Sequence, residues 1–206
     1  MLFLLERFRM FTDKNDTYWK NFSKIINADF KGRKYWYSAQ AIFNYKGFEI
    51  IFDHYTHYTV SGSVSLESFV TRICCRFQCN EKLFLKIEKA SLMNKILNYF
   101  SNKKVETGNL TFDSKYVIVS NQRNINKLIN NQIVIRIENC DLTQFYIDTK
   151  DGIWGKELEK NHYEIATFLN LYNAEYNDLL QIKALFEMII DHLVLNYNIR
   201  ESKLIK

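Results

Sequence analysis

The sequence predicts an α+β domain: a largely antiparallel sheet in two hairpin-plus-helix halves, with an N-terminal helix ahead of it and a long C-terminal amphipathic helix behind. Three observations carry that expectation. Period-two stretches cluster between helical ones without regular βαβ alternation. Tyr116, Val117, Ile118 and Val119 form an unbroken apolar run, as expected of an interior strand covered on both faces. Leu179, Ile182, Leu185, Phe186, Ile189, Leu193 and Asn196 trace one stripe of a helix about five turns long.

With 206 residues and 47% apolar content the chain can bury a full core. It divides into an apolar and basic segment over 1–15, one domain over 16–199 and a charged tail over 200–206. Proline is absent while Asn, Lys, Ile, Phe and Tyr abound, a pattern of A/T-rich codons that points to a low-GC bacterial source. The net charge of +5 contains no run of five or six basic residues, so it reads as lysine-rich surface before it reads as a nucleic-acid footprint. Cys74, Cys75, Cys79 and Cys140 are few for a disulfide scaffold, and no C-x-x-C pair or neighbouring histidine completes a zinc set. Reduced structural thiols in a cytoplasmic setting are expected, with Cys75 and Cys79 able to share one face and Cys74 on the other.

The elements follow in order. Leu4, Leu5, Phe8 and Phe11 would line one side of a helix too short to span a bilayer, able to dock on the domain's own core, on a partner or on a membrane surface. Asp16 can cap a second helix with Trp19, Phe22 and Ile26 inward. Ala39, Ala41 and Phe43 alternate as a strand, Lys46-Gly47 makes a tight turn, and Phe48, Ile50 and Phe52 return antiparallel. That strand runs on through D-H-Y-T-H-Y-T into a Ser/Gly loop around 61–65. The chain returns with Thr71, Ile73, Cys75 and Phe77 facing one way and Arg72, Cys74 and Arg76 the other. Leu83, Leu85 and Ile87 mark a further strand, and Ser91 caps a short helix with Leu92, Ile96, Leu97, Tyr99 and Phe100. From Thr107 a turn feeds the strand Lys115 to Ser120. Asn121 is read as the cap of a helix over 122–130, and Ile133, Ile135 and Ile137 as a strand with one wet face. Asn139-Cys140-Asp141 then turns into a second hairpin arm over 142–149, and Asp151-Gly152 and Trp154-Gly155 mark a loop. The stretch 163–172 fits a strand or a helical start, and the tail from Arg200 is expected to fray.

The runs K-G-F-E-I-I-F-D-H-Y-T at Lys46, T-R-I at Thr71, G-N-L-T-F-D-S-K-Y-V-I-V-S-N at Gly108 and L-F-E-M at Leu185 resemble an uncharacterised bacterial domain family. Its members carry a Y-x-G-F-like hairpin, an F-D-x-x-[FY]-x-[VI] turn-strand and a closing helix. The resemblance spans most of 19–196 and rests on short structural motifs. It implies no catalytic residue, and the membrane helices of some members have no counterpart in this chain beyond 1–11.

Candidate chemistry is sparse. His54, Tyr55, His57 and Tyr58 beside Asp53 form the densest polar-aromatic cluster, yet residues three apart on a strand face opposite ways, so an exposed rim of His and Tyr is expected over a metal site. His162 and His192 stand alone. Phosphate loops and nucleophile elbows are absent, so no cofactor is indicated. Asp113 reads as closing an Asx turn with Lys115 or Tyr116, and the pairs Glu157/Glu159 and Asp148/Asp151 as solvated carboxylates. No catalytic constellation can be assembled. Two function classes stand: a noncatalytic interaction domain, near a membrane or within a larger assembly, with an unknown protein as partner; or a nucleic-acid binder using Arg72, Arg76 and Arg136 beside aromatics on an open sheet face.

Overall fold

Lys46 and Gly47 both take positive φ, 52° and 93°, which is the two-residue turn whose twist matches a hairpin. It joins β2 (Gln40–Tyr45) to β3 (Phe48–Ser61), and β3 pairs in turn with β4 (Val64–Gln78). In the computed structural model the described residues are 16–34, 38–61, 64–90, 104–152, 155–169 and 173–202, with backbone alone over 56–61, 64–69 and at 104. The expected helices over 1–11 and from Ser91 lie outside them.

Helix α1 covers 16–25 and β1 (Asp29–Lys31), a strand not foreseen, pairs with β2. After β4 come β5 (Leu85–Lys89), β6 (Lys104–Val105), α2 (Leu110–Lys115), β7 (Tyr116–Ser120), a 3-10 turn (Ile125–Lys127), α3 (Asn131–Asn139), β8 (Gln144–Asp148), β9 (His162–Leu169), α4 (Tyr176–Tyr197) and β10 (Arg200–Glu201). One sheet runs β1-β2-β3-β4-β9-β8-β5-β7-β6, with β10 joined to β4. Every pairing among the described strands is antiparallel.

The helices and the sheet share one core. Trp19 and Phe22 of α1 with Ile26 just after it, Ile133, Val134 and Ile137 of α3, and the α4 stripe from Leu179 to Leu193 meet Ile50, Phe52, Ile73, Phe77, Ile118, Phe145 and Ile165 from the strands, while Asn196 at the end of the expected stripe is exposed. A smaller cluster of Cys74, Tyr146, Ala166 and Phe168, flanked by Ile51, Tyr55 and Val70, lies on other positions of the same strands. Cys75 and Cys79 belong to the large core and Cys74 to the small one, and all four cysteines are free.

Several expectations need correction. Ile133, Ile135 and Ile137 sit on a helix, because Asn130 accepts a hydrogen bond from the Ile133 N–H at 3.0 Å and caps α3. Ile133 and Ile137 are four apart and share its buried side, while Ile135 is 45% exposed. Asn121 caps nothing; its side chain accepts from the Phe84 N–H and donates to the Lys82 carbonyl, closing the end of the β5–β7 pair. The expected helix over 122–130 shrinks to one 3-10 turn capped by Asn124, although Ile125, Leu128 and Ile129 are buried. Before β7, Asn109 caps α2 where a turn was read, and Asp113 accepts from Thr107 and Gly108, upstream of the residues expected. The tail does not simply fray: Arg200 pairs with Gln78 and Glu201 with Phe77. The ambiguous stretch is strand β9 over its described part.

Candidate functional site

The β3–β4 hairpin is longer than the sheet that holds it. Its register runs without a slip from Ile50↔Cys75 to Ser61↔Val64, whereas among the described residues β2 supports β3 as far as Asp53 and β9 supports β4 from Thr71. The seven pairs from Tyr55↔Val70 to Ser61↔Val64 therefore form a two-stranded arm with no third strand among the described residues. At about 3.3 Å per residue it reaches about 23 Å past the sheet.

The root of this arm is held from both sides. On the helix side His54 is buried, and Trp19 Nε1 donates to its Nδ1 at 3.2 Å, which places the imidazole proton on Nε2. Tyr18 stacks on the same ring at 5.8 Å, and its hydroxyl bonds to the Ala174 carbonyl just before α4. On the other side Arg72 grips the Asp53 carboxylate with two hydrogen bonds, of 2.9 and 2.7 Å, and lies 4.8 Å over the Tyr55 ring. Burial pulls the Arg72 guanidinium down, but Asp53 beside it more than offsets this and holds it well above the ordinary arginine value.

The ionic contacts continue sideways. Arg76 bridges Glu164 at 3.1 Å and Asp151 at 2.6 Å, and Asp151 also lies 3.5 Å from Arg72. Glu164 is fully buried, and burial raises its carboxyl above the ordinary value while Arg72, Arg76 and the Gly152 N–H pull it back. Gly152 donates that N–H at 2.9 Å, pinning the loop after β8 onto the sheet. Tyr146 lies near Arg72, Cys74 and Glu164; burial pushes its phenol far up, and its hydroxyl finds no partner among the described residues. Beside it is a shallow depression of about 180 Å³ lined by Phe84, Lys86, Gln144, Tyr146, Asp148, Lys150 and Gly152.

These positions revise several expectations. His54 is not on an exposed rim, because its alternation places it with Ile50 and Phe52 on the core side. Tyr55 is half-buried under Arg72, and His57 and Tyr58 lie on the arm, where the backbone alone is described. Asp151 is not simply solvated, since it closes the arginine network. Arg136 belongs to α3 on the helix side, while Arg72 and Arg76 are engaged by carboxylates, so the three arginines do not make one open basic face. No group of three or more His, Cys, Asp or Glu among the described residues could hold a metal ion. No described helix is long and apolar enough to cross a membrane. Leu4, Leu5, Phe8 and Phe11 lie outside the described residues.

The sequence hid the network because its members come from four places: Asp53, the pair Arg72 and Arg76, Asp151, and Glu164. A signal existed in the alternation of 72, 74 and 76, which puts both arginines on one face beside a buried thiol and so demands buried acids opposite. No family model, no curated protein and no solved structure matches this chain, so the likeness seen in its short hairpin and turn-strand motifs stands on those motifs alone.

Proposed function

We propose that the protein is a noncatalytic interaction domain, acting within a larger assembly, whose contact surface is the β3–β4 arm. The observation that supports this is the arm itself: seven paired positions standing outside the sheet on a root braced by His54 and by Arg72. A two-stranded ribbon is marginal alone in water, and unpaired strand edges are surfaces that other chains add to. The residues 55–70 hold one formal charge, Glu67, where exposed edges are usually guarded by several. A partner that covers the ribbon would remove both liabilities.

The test is site-specific photo-cross-linking in the native cell, with a benzophenone side chain at Tyr58 on the arm or at Lys24 on the outer side of α1. The expected result is a discrete adduct from Tyr58 and none from Lys24. No arm-specific adduct, or equal labelling from both positions, would remove the reading.

A further inference from the structure

The arm has two edges, and they differ. Tyr45 and Phe48 flank a two-residue turn, so they form a reciprocal hydrogen-bonded pair and the backbone groups of Ile50, Phe52 and His54 face β2. The His54 N–H confirms the direction, since it donates to Ser38 Oγ at 3.3 Å on that side. With an unbroken register the alternation carries on, so Thr56, Tyr58 and Val60 direct their N–H and C=O away from β4, to the side where no described strand continues beyond Gln40 of β2. On the other edge the outward residues are Ser65, Glu67 and Phe69. Glu67 guards that edge with a charge, whereas 54–61 contain no Asp, Glu, Lys or Arg.

We infer that the β3 edge of the arm pairs with the β3 edge of a second copy of this chain, antiparallel about a twofold axis at Tyr58. The inference takes the arm to be the contact surface proposed above. In that register Thr56 meets Val60 of the other copy and Tyr58 meets Tyr58, and each such pair exchanges two backbone hydrogen bonds. All three outward residues are used, and His54, already bonded to Ser38, is not needed. A register centred on His57 would leave one of the three to meet His54, and a twofold between two residues would set outward groups against inward ones.

A second copy fits this edge for two reasons. Antiparallel pairing about a twofold is self-complementary, the commonest symmetry of soluble oligomers. Charge favours the same place: two chains of net charge +5 repel one another, but a ribbon with Glu67 as its one formal charge, projecting about 23 Å, holds the bodies apart by more than the Debye length of about 8 Å at physiological salt. Thr56 against Val60 is also a β-branched cross-strand pair, the kind that stabilises sheets.

Sedimentation velocity of the full chain over a wide concentration range tests this, with three variants checked for folding by near-UV circular dichroism. Tyr58→Pro removes an outward N–H and leaves the bonds to β4 in place; Tyr58→Lys sets like charges face to face at the twofold; Glu67→Pro alters only the other edge. The expected result is a reversible dimer that both Tyr58 variants weaken about tenfold or more and Glu67→Pro leaves intact. If Tyr58→Pro does not fold, Tyr58→Lys decides. A chain that stays monomeric at every concentration overturns the inference, as does a dimer indifferent to both Tyr58 variants or one lost only with Glu67→Pro. A monomer that still yields an arm-specific adduct with a different protein ends the dimer and keeps the interaction domain; a monomer without such an adduct loses both.

Discussion

The two halves of the β3–β4 hairpin have the same local geometry and opposite surroundings. Up to Asp53 and from Thr71, each strand has a neighbour on both sides and side chains packed above and below. Beyond Tyr55↔Val70 the same two strands have only each other among the described residues. The difference teaches where the stability of a strand comes from. Hydrogen bonds between β3 and β4 run equally through both halves, so the ladder cannot be what distinguishes them; burial and the Arg72 network can. A rigid root and an unsupported tip are what an element needs in order to present its edge to something else.

The sharpest way to break the comparison is to cut the root's ionic grip. Arg72→Met keeps much of the stem's volume and leaves the buried Asp53 without its cation, held by the Gln40 amide, with Asp151 and Glu164 sharing one guanidinium in place of two. The expected loss is about 3–5 kcal/mol, read as a fall in the urea midpoint of the whole domain. Thr59→Ala in the arm should move the same midpoint by less than about 0.5 kcal/mol. Equal losses would mean that arm and root form one cooperative unit. A smaller effect is expected from Gly152→Ala. Gly152 takes φ +71°, and a Cβ there would stand 3.1 Å from the Tyr55 hydroxyl. The cost, about 1–2 kcal/mol, should come with a changed tyrosine near-UV signal at the arm's root.

Much of the root was legible in the sequence, and the reason is periodicity. The two-residue turn at Lys46-Gly47, the faces of 71–77 and the α4 stripe all follow from spacing that only one element type satisfies. Where the spacing served two element types, the reading failed. Ile133, Ile135 and Ile137 alternate as a strand would, yet Ile133, Val134 and Ile137 also satisfy a helix, and Asn130 decides for the helix by capping it. The ionic network was illegible for another reason: Asp53 and Glu164 meet the arginines only once β3, β4 and β9 lie side by side, and the order of strands is not written in local spacing. His54 shows a third limit. Its strand position was readable, but its burial depends on Trp19 arriving from α1 with a donor.

The charge network also sets a pH dependence. Glu164 is raised by burial above the ordinary 4.5, so the folded chain holds this proton more tightly than the unfolded chain does. Its contribution is therefore fully present below 4.5 and declines as pH rises through the raised folded value. Glu164→Gln removes that slope while a carbonyl oxygen can still accept from the Gly152 N–H. Measured against the parent chain, the variant should gain relative stability between acid and neutral pH, by about 1.4 kcal/mol for each unit by which the carboxyl is raised. A stability difference that stays flat with pH would show that Arg72 and Arg76 cancel the burial.

The finest distinction lies within the arm, residue by residue, and amide hydrogen exchange reads it. The N–H groups of Ile50 and Phe52 face β2 within the supported half and should exchange only on global unfolding. Those of Tyr55, His57 and Thr59 face β4 and should exchange through opening of the ribbon, faster than the root and slower than free peptide. Those of Thr56, Tyr58 and Val60 face away from β4 and should exchange nearly as free amides in dilute solution. Raising the protein concentration should slow this last set alone if two copies meet at the β3 edge, because pairing gives those N–H groups acceptors and gives the inward ones nothing new. Alternation that persists at every concentration would describe a lone arm with one dry and one wet edge, and loss of alternation would mean that the register through Tyr58 is not the one drawn from the turn at Lys46 and Gly47.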